Sequence, residues 1–186
     1  MLLLARHGQT AENAAGRILG HRDPPLDRAG RAQAAALADS LAGAGLRALW
    51  TSPLLRARET AEAIARRTGL EPVPLAALVE SRRGRWEGRT VAELLREDPD
   101  RFAAFAAADP QFAFPGGESL REQLERTRVA IDLITAGPLP AAAVAHAGTI
   151  RSALALAGRP VPPEAALAHG VTISLELRPR PAGGVA

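Results

Sequence analysis

Short runs of apolar residues alternate along the chain with longer segments in which apolar positions recur every three or four residues. Runs of the first kind read as buried strands, and segments of the second kind as helices with one face on a core. The three leucines at 2–4 predict a first strand, and Gly8 breaks it into a polar loop reaching about Pro25. Asp27 is placed to cap a helix running to about Leu41, which the Gly43 and Gly45 cluster ends. A second strand is expected over 46–51, closed by Ser52-Pro53, and an Ala/Arg/Glu-rich helix from Leu54 to about Thr68. Residues 73–79 supply a third strand. A short apolar run at 141–145 leads directly into His146 and a helix from about Thr149 to Ala157, and 171–177 alternates like a final edge strand.

Strands alternating with helices predict an α/β fold: a three-layer sandwich with a mostly parallel central sheet and helices on both faces. The stretch from about 91 to 117 differs. Pro99, Pro110 and Pro115 break it into short helical pieces, and it holds all four phenylalanines, at 102, 105, 112 and 114. It reads as a small helical cap inserted into a single domain over 1–178. Residues 179–186, rich in Pro and Gly, read as a loose tail. No internal repeat is visible.

Composition narrows the function classes. The 186 residues are 47% hydrophobic, enough for one domain with a full core. With no cysteine there is neither a disulfide framework nor a thiolate metal site, which suits a reducing cytoplasm. The net charge is only +3, and the isoelectric point of about 11.0 reflects the lack of Lys and Tyr more than a basic surface. Arginines are interspersed with acids along the predicted helices, so no nucleic-acid partner is expected and small anions fit better. The apolar start, residues 1–5, is far shorter than the roughly 20 residues of a membrane span and lacks a signal-peptide n-region, so no membrane partner is expected either.

In open α/β sheets, ligands gather beyond the carboxyl ends of the strands. Polar clusters fall at those ends: Arg6-His7-Gly8-Gln9-Thr10, then Ser52 to Ala57 with Arg56, Glu80 after the third strand, and His146-Ala147-Gly148-Thr149 after the run at 141–145. Taken singly, each has an ordinary structural explanation, such as a hydrogen-bonded strand-end histidine or a solvated helix arginine. Together, two Arg, two His and one Glu form a cationic pocket with one acid, an inventory suited to phosphoryl transfer without a metal.

The segment Leu4 to Thr10 with Asn13 resembles the arginine-histidine-glycine signature of the histidine phosphatase superfamily, the phosphoglycerate mutase-like proteins. Residues 26–33, 51–57 with Thr60-Ala61, Glu80 with Gly84 and Trp86-Glu87-Gly88, Gly116-Gly117-Glu118-Ser119, and Val144 to Gly148 continue the resemblance in order. The resemblance implies that His7 is the nucleophile and forms a phosphohistidine. Arg6, Arg56 and His146 would hold the phosphoryl oxygens, with Asn13, Gln9, Thr10 and the backbone at Ala147 and Gly148 completing the phosphate site. Glu80 would be the proton donor and then the base that activates water, which requires a carboxyl raised by burial or by the arriving phosphate against the pull of the arginines. No cofactor and no metal are implied, the expected partner is a small phosphorylated metabolite, and a homodimer is compatible with the family.

Within the family, Ser81 stands where mutases carry an Arg after the acid, Gln9 replaces their common acid, and the segment from Asp98 to Ser119 holds a single arginine, Arg101. Length and the Gly116 to Ser119 segment resemble the small phosphatases, including the α-ribazole and broad-specificity phosphatases. Hydrolysis is therefore expected, the alternatives being a mutase-type transferase and a non-catalytic phosphate-binding module. Phe102, Phe105, Phe112 and Phe114 read as a core that holds the cap down, or else as an apolar mouth. Arg82, Arg83 and Arg85 read as an exposed charge run, or else as contacts for a second phosphate or carboxylate. His21 and His169 read as structural.

Overall fold

The computed structural model describes residues 1–109 and 111–175. Pro110, the last two positions of the expected edge strand, the domain boundary at 178 and the tail at 179–186 lie outside the described residues. Among the described residues five strands form one sheet: β1 (Leu2–Arg6), β2 (Ala48–Thr51), β3 (Pro72–Pro74), β4 (Ala141–Ala145) and β5 (Thr172–Leu175). Their order is β3-β2-β4-β1-β5, all parallel except β5, which runs antiparallel along β1 at the edge. This is the expected α/β sandwich.

Alternation along β1 explains the layers. Leu2 and Leu4 face one cluster, with Ile131 and Ile134 of α6 (Leu120–Thr135) and Ile150 and Leu154 of α7 (Ala147–Leu156). Leu3 and Ala5 face the other, with Leu37 and Leu41 of α2 (Arg28–Leu41) and Ala57, Ala61 and Ile64 of α3 (Leu55–Thr68). A parallel strand covered on both faces needs a continuous apolar run, and each buried leucine stabilises the fold by roughly 1.5–3 kcal/mol. Asp27 caps α2 as expected, its side chain accepting from Gly30 N at 2.7 Å.

The third strand is shorter than expected. Only 72–74 pair with β2, after which a 3-10 turn, Ala76–Leu78, carries the chain toward Glu80. Pro72 and Pro74 have no N–H to donate, so a strand containing them is confined to a sheet edge. The second strand starts at Ala48 and the last helix at Ala147, within two residues of expectation. A single helical turn, α1 (Ala11–Ala14), interrupts the loop after β1.

The cap consists of α4 (Val91–Glu97), α5 (Pro99–Ala106) and the return to Ser119. Its phenylalanines surround Trp86: Phe102, Phe105, Phe112 and Phe114 all have ring centres within 6.0 Å of the indole. The core reading of these rings holds. Among the described residues no helix is long and apolar enough to cross a membrane.

Candidate active site

The strand order places the ends of β2, β4 and β1 side by side, so Ser52, His146 and His7 follow one another across the sheet. His7 N donates to Ala145 O at 3.1 Å, and Ser52 N to Val144 O at 2.9 Å. The loop after His7 is locked onto α2 and α3. Gly8 N donates to Thr60 Oγ1 at 3.0 Å, and a methyl on Gly8 would sit 2.3 Å from the Gly30 carbonyl oxygen. Only glycine permits that approach of loop to helix.

His7 is buried, and its ring is held at both nitrogens. Nδ1 lies 2.7 Å from Gly8 O, an acceptor, so Nδ1 carries the hydrogen. Nε2 is left with its lone pair, which accepts from Arg56 Nε at 3.2 Å. Burial, then His146 and Arg56, hold the imidazolium well below the usual histidine range, so the ring is neutral. Arg56 is itself fixed, donating to Arg22 O at 2.7 Å and Gly20 O at 3.0 Å, and burial brings its guanidinium down to about 10.

His146 stands 5.1 Å from His7, ring centre to ring centre. Its Nε2 is 2.8 Å from Ser52 Oγ, while Nδ1 is buried with no protein partner. Ser52 Oγ also accepts from Leu54 N, and when its hydrogen goes to His146 Nε2 the ring hydrogen sits on Nδ1. Arg6 likewise has a buried, unpartnered Nε, its terminal nitrogen being held by the Leu167 and Glu164 carbonyls. A buried donor without an acceptor is costly, and two of them flanking a neutral histidine form a ready anion site.

Glu80 enters from the turn after β3. Its carboxylate accepts from Ser81 N at 2.9 Å, from Gln123 Nε2 at 3.1 Å and from Gly148 N at 3.3 Å, and it lies 3.5 Å from Arg83. Burial alone would raise this carboxyl, but Arg83, the Ser81 N–H and Arg56 outweigh it and hold the group below the usual carboxylate range. The expected pull of the cations therefore wins in the free protein. Arg126 of α6 pins the segment from behind, donating to Ala77 O and Val79 O at 2.9 and 2.7 Å.

A cavity of about 320 Å³ opens on Arg6, His7, Asn13, Arg56, Glu80 and Ala147, all of them expected site residues. Four other expected residues are placed differently: His146 is fully buried against Ser52 and does not itself line the cavity. Gln9 turns away, donating to Asp27 Oδ2 at 2.9 Å, and Thr10 is fully buried as the cap of α1, so neither side chain lines the cavity. The Gly148 N–H is taken by Glu80.

The sequence reading missed several residues. Arg83 is buried within the site and is not part of an exposed run, although Arg82 and Arg85 are exposed. His169, read as structural, donates to His7 O through Nδ1 at 3.1 Å and lines the cavity; burial and Arg6 push it down to about 4. His21 holds Glu80 O at 2.9 Å. Gln123 and Arg126 belong to α6, whose start is signalled by Ser119 and Glu122, a reciprocal capping pair.

Comparison with known proteins identifies the family. The bifunctional protein Rv2228c of Mycobacterium tuberculosis is 39% identical over 159 residues, covering 84% of this chain but 43% of its own length. Phosphoserine phosphatase 1 of Hydrogenobacter thermophilus is 34% identical over 127 residues, 68% of this chain and 60% of that protein. The chain thus spans roughly half the length of these two relatives. A mycobacterial glucosyl-3-phosphoglycerate phosphatase solved with VO3 superimposes with a TM-score of 0.77 at 33% identity, covering 86% of this chain and 81% of that one. The sequence profile of the Histidine phosphatase superfamily (branch 1) matches residues 2–177, and the chain belongs to that family.

Proposed function

We propose that this chain is a metal-independent phosphomonoester hydrolase that acts on a small phosphorylated metabolite through a phosphohistidine. The observation that carries the reading is the neutral His7 ring, whose unprotonated nitrogen, Nε2, is held by Arg56 in a residue that lines one cavity with Arg6 and Arg56. As Arg56 turns its hydrogen bond from Nε2 to the phosphate, Nε2 attacks phosphorus and the bond to the leaving oxygen breaks. Arg6, Arg56 and the Nδ1–H of His146 meet the charge on the phosphoryl oxygens, so that arginines supply the cations of the site. Glu80 gives the leaving oxygen its proton and then takes one from the water that attacks phosphohistidine, returning His7 to its starting state.

Glu80 is ionised in the free protein, so the negative charge of the arriving phosphate has to raise it before it can donate. Water is favoured as the acceptor because the cap's Arg101 is exposed and paired with Asp98, 3.3 Å away, and Ser81 follows the acid. The names of two relatives include phosphoserine and glucosyl-3-phosphoglycerate, which suits a small phosphate ester here. The cysteine-free composition suits a cytoplasmic setting.

The test is single turnover with ³²P-labelled substrate, quenched in alkaline detergent. The label should be acid-labile, base-stable and map to His7, and p-nitrophenyl phosphate turnover should survive excess EDTA. His7→Ala should lower kcat by about a thousandfold or more, the order expected for a deleted nucleophile. Label on a serine, or near-parental turnover by His7→Ala, would remove His7 from the mechanism.

A further inference from the structure

Arg83 is the least expected residue in the site. Its side chain is 4% exposed, although three of its neighbours in sequence, Arg82, Gly84 and Arg85, are not buried. The guanidinium is clamped over two rings, 5.2 Å from the centre of Phe105 and 5.1 Å from that of Phe114, which fixes its plane. Its terminal nitrogens meet Glu164 in a two-pronged pair, 3.0 and 2.5 Å, the arrangement in which arginine takes a carboxylate. Glu164 comes from the connection between α7 and β5. It sits in a 3-10 turn just after Pro162-Pro163, and its side chain is 22% exposed. A rigid, deeply buried cation is therefore held by a carboxylate that solvent can reach.

Position gives the pair its meaning. Arg83 and Glu164 both line the cavity that holds His7, and Arg83 stands 3.5 Å from Glu80. On the reading above, Glu80 protonates the leaving oxygen, so a group one or two carbons from that oxygen falls within reach of Arg83. We propose that Arg83 is a carboxylate-binding subsite for the leaving group, occupied in the free protein by Glu164, which a substrate carboxylate displaces. This rests on the phosphate-site reading and deepens it, making Arg83 a specificity residue for esters that carry a carboxylate beside the phosphate. A carboxylate is the class named because the occupant already present is one.

Binding to the His7→Ala protein separates this idea from turnover. The probes are 2-phosphoglycolate and 2-hydroxyethyl phosphate, matched in size and differing in the carboxylate, with inorganic phosphate as a control for the phosphate site. The quantity read by calorimetry is the ratio of the two Kd values, which cancels changes in general electrostatics. Phosphoglycolate should bind at least about tenfold tighter, as a charge-assisted pair warrants. Adding Arg83→Gln or Arg83→Leu should bring the ratio close to one, and adding Glu164→Gln should increase it severalfold by removing the internal competitor. Glu164→Gln is made on a half-exposed turn, so it keeps the test alive if the buried Arg83 variants fail to fold. A ratio near one in the parent, or unmoved by Glu164→Gln, would overturn the proposal while phosphate still bound. If inorganic phosphate itself failed to bind, the phosphate-site reading would fall and this inference with it.

Discussion

Gly148 offers a way to move Glu80, the proposed proton donor, without touching its chemistry. A methyl built on Gly148 would lie 2.4 Å from Glu80 Oε1 and 2.4 Å from Gln123 Nε2, against an ordinary contact of 3.4 Å or more. The shortfall is 1.0 Å, and the backbone at Gly148 is ordinary helix, so Gly148→Ala strains side chains only. Glu80 cannot simply rotate away, since Ser81 N, Gln123 and Arg83 hold it from three directions. A displacement of about 1 Å in a positioned catalytic group can cost on the order of a hundredfold in rate. The whole contribution of a general acid, typically ~10²–10⁴-fold, sets the ceiling.

The loss should depend on the leaving group. An alkyl phosphate needs its departing oxygen protonated, whereas p-nitrophenolate leaves without much help. Gly148→Ala should therefore lower kcat by about a hundredfold on an alkyl phosphate and by roughly tenfold or less on p-nitrophenyl phosphate. Stability should fall by no more than about 2 kcal/mol, because overpacking costs about 1–3 kcal/mol while alanine in place of helical glycine returns about 1 kcal/mol. Steady-state kinetics on both substrates, with thermal unfolding as the control for fold, make the comparison. Equal losses on the two substrates, or parental rates on the alkyl ester, would refute the reasoning.

Glu80→Gln should show the same leaving-group pattern at its full size, up to the ~10⁴-fold of a deleted acid on an alkyl phosphate and much less on the nitrophenyl ester; equal losses would assign Glu80 another role. Stability should fall with pH below about 6.5. His7 and His146 are held neutral by burial well under their usual range and His169 at about 4, so the unfolded chain binds more protons and each histidine contributes a slope of up to ~1.4 kcal/mol per pH unit, less for the partly exposed His169. Glu80, depressed in the fold, adds a loss in the same direction only below its ordinary range. Urea midpoints at pH 7.5, 6.5 and 5.5 should drop progressively, and a flat profile would mean these rings are protonated in the native state.

Strand ends were the legible part of this chain. Leu2–Arg6 and Ala141–Ala145 announce themselves because a strand buried on both faces stays apolar until its carboxyl end, and the first polar residues there are Arg6 with His7, and His146. The third strand misled because 73–79 is apolar enough to continue, while the missing N–H groups of Pro72 and Pro74 limit the pairing. Arg83 could not be told from Arg82 and Arg85 by composition. What buries it is Glu164, 81 residues away, and two cap phenylalanines. Gln123 was hidden for the same reason: a lone glutamine on an amphipathic helix reads as surface until the carboxylate it serves is placed beside it.

The charges of the site bear on how the acid comes to hold a proton. Arg6, Arg17, Arg56 and Arg83 stand against Glu80 and Glu164, with His7 and His146 neutral, so the free cavity carries a positive excess of two. Of the four arginines, Arg83 exerts the strongest hold on Glu80, and Arg83 is shared with Glu164. A dianionic phosphate entering beside Arg6 and Arg56 cancels that excess, and a lone proton is then most cheaply kept on the buried carboxyl nearest the leaving oxygen. On this account the donor is created by the substrate that needs it. A carboxylate that displaces Glu164 leaves Arg83's charge balance unchanged, since one anion replaces another, so binding such an ester need not cost Glu80 its proton.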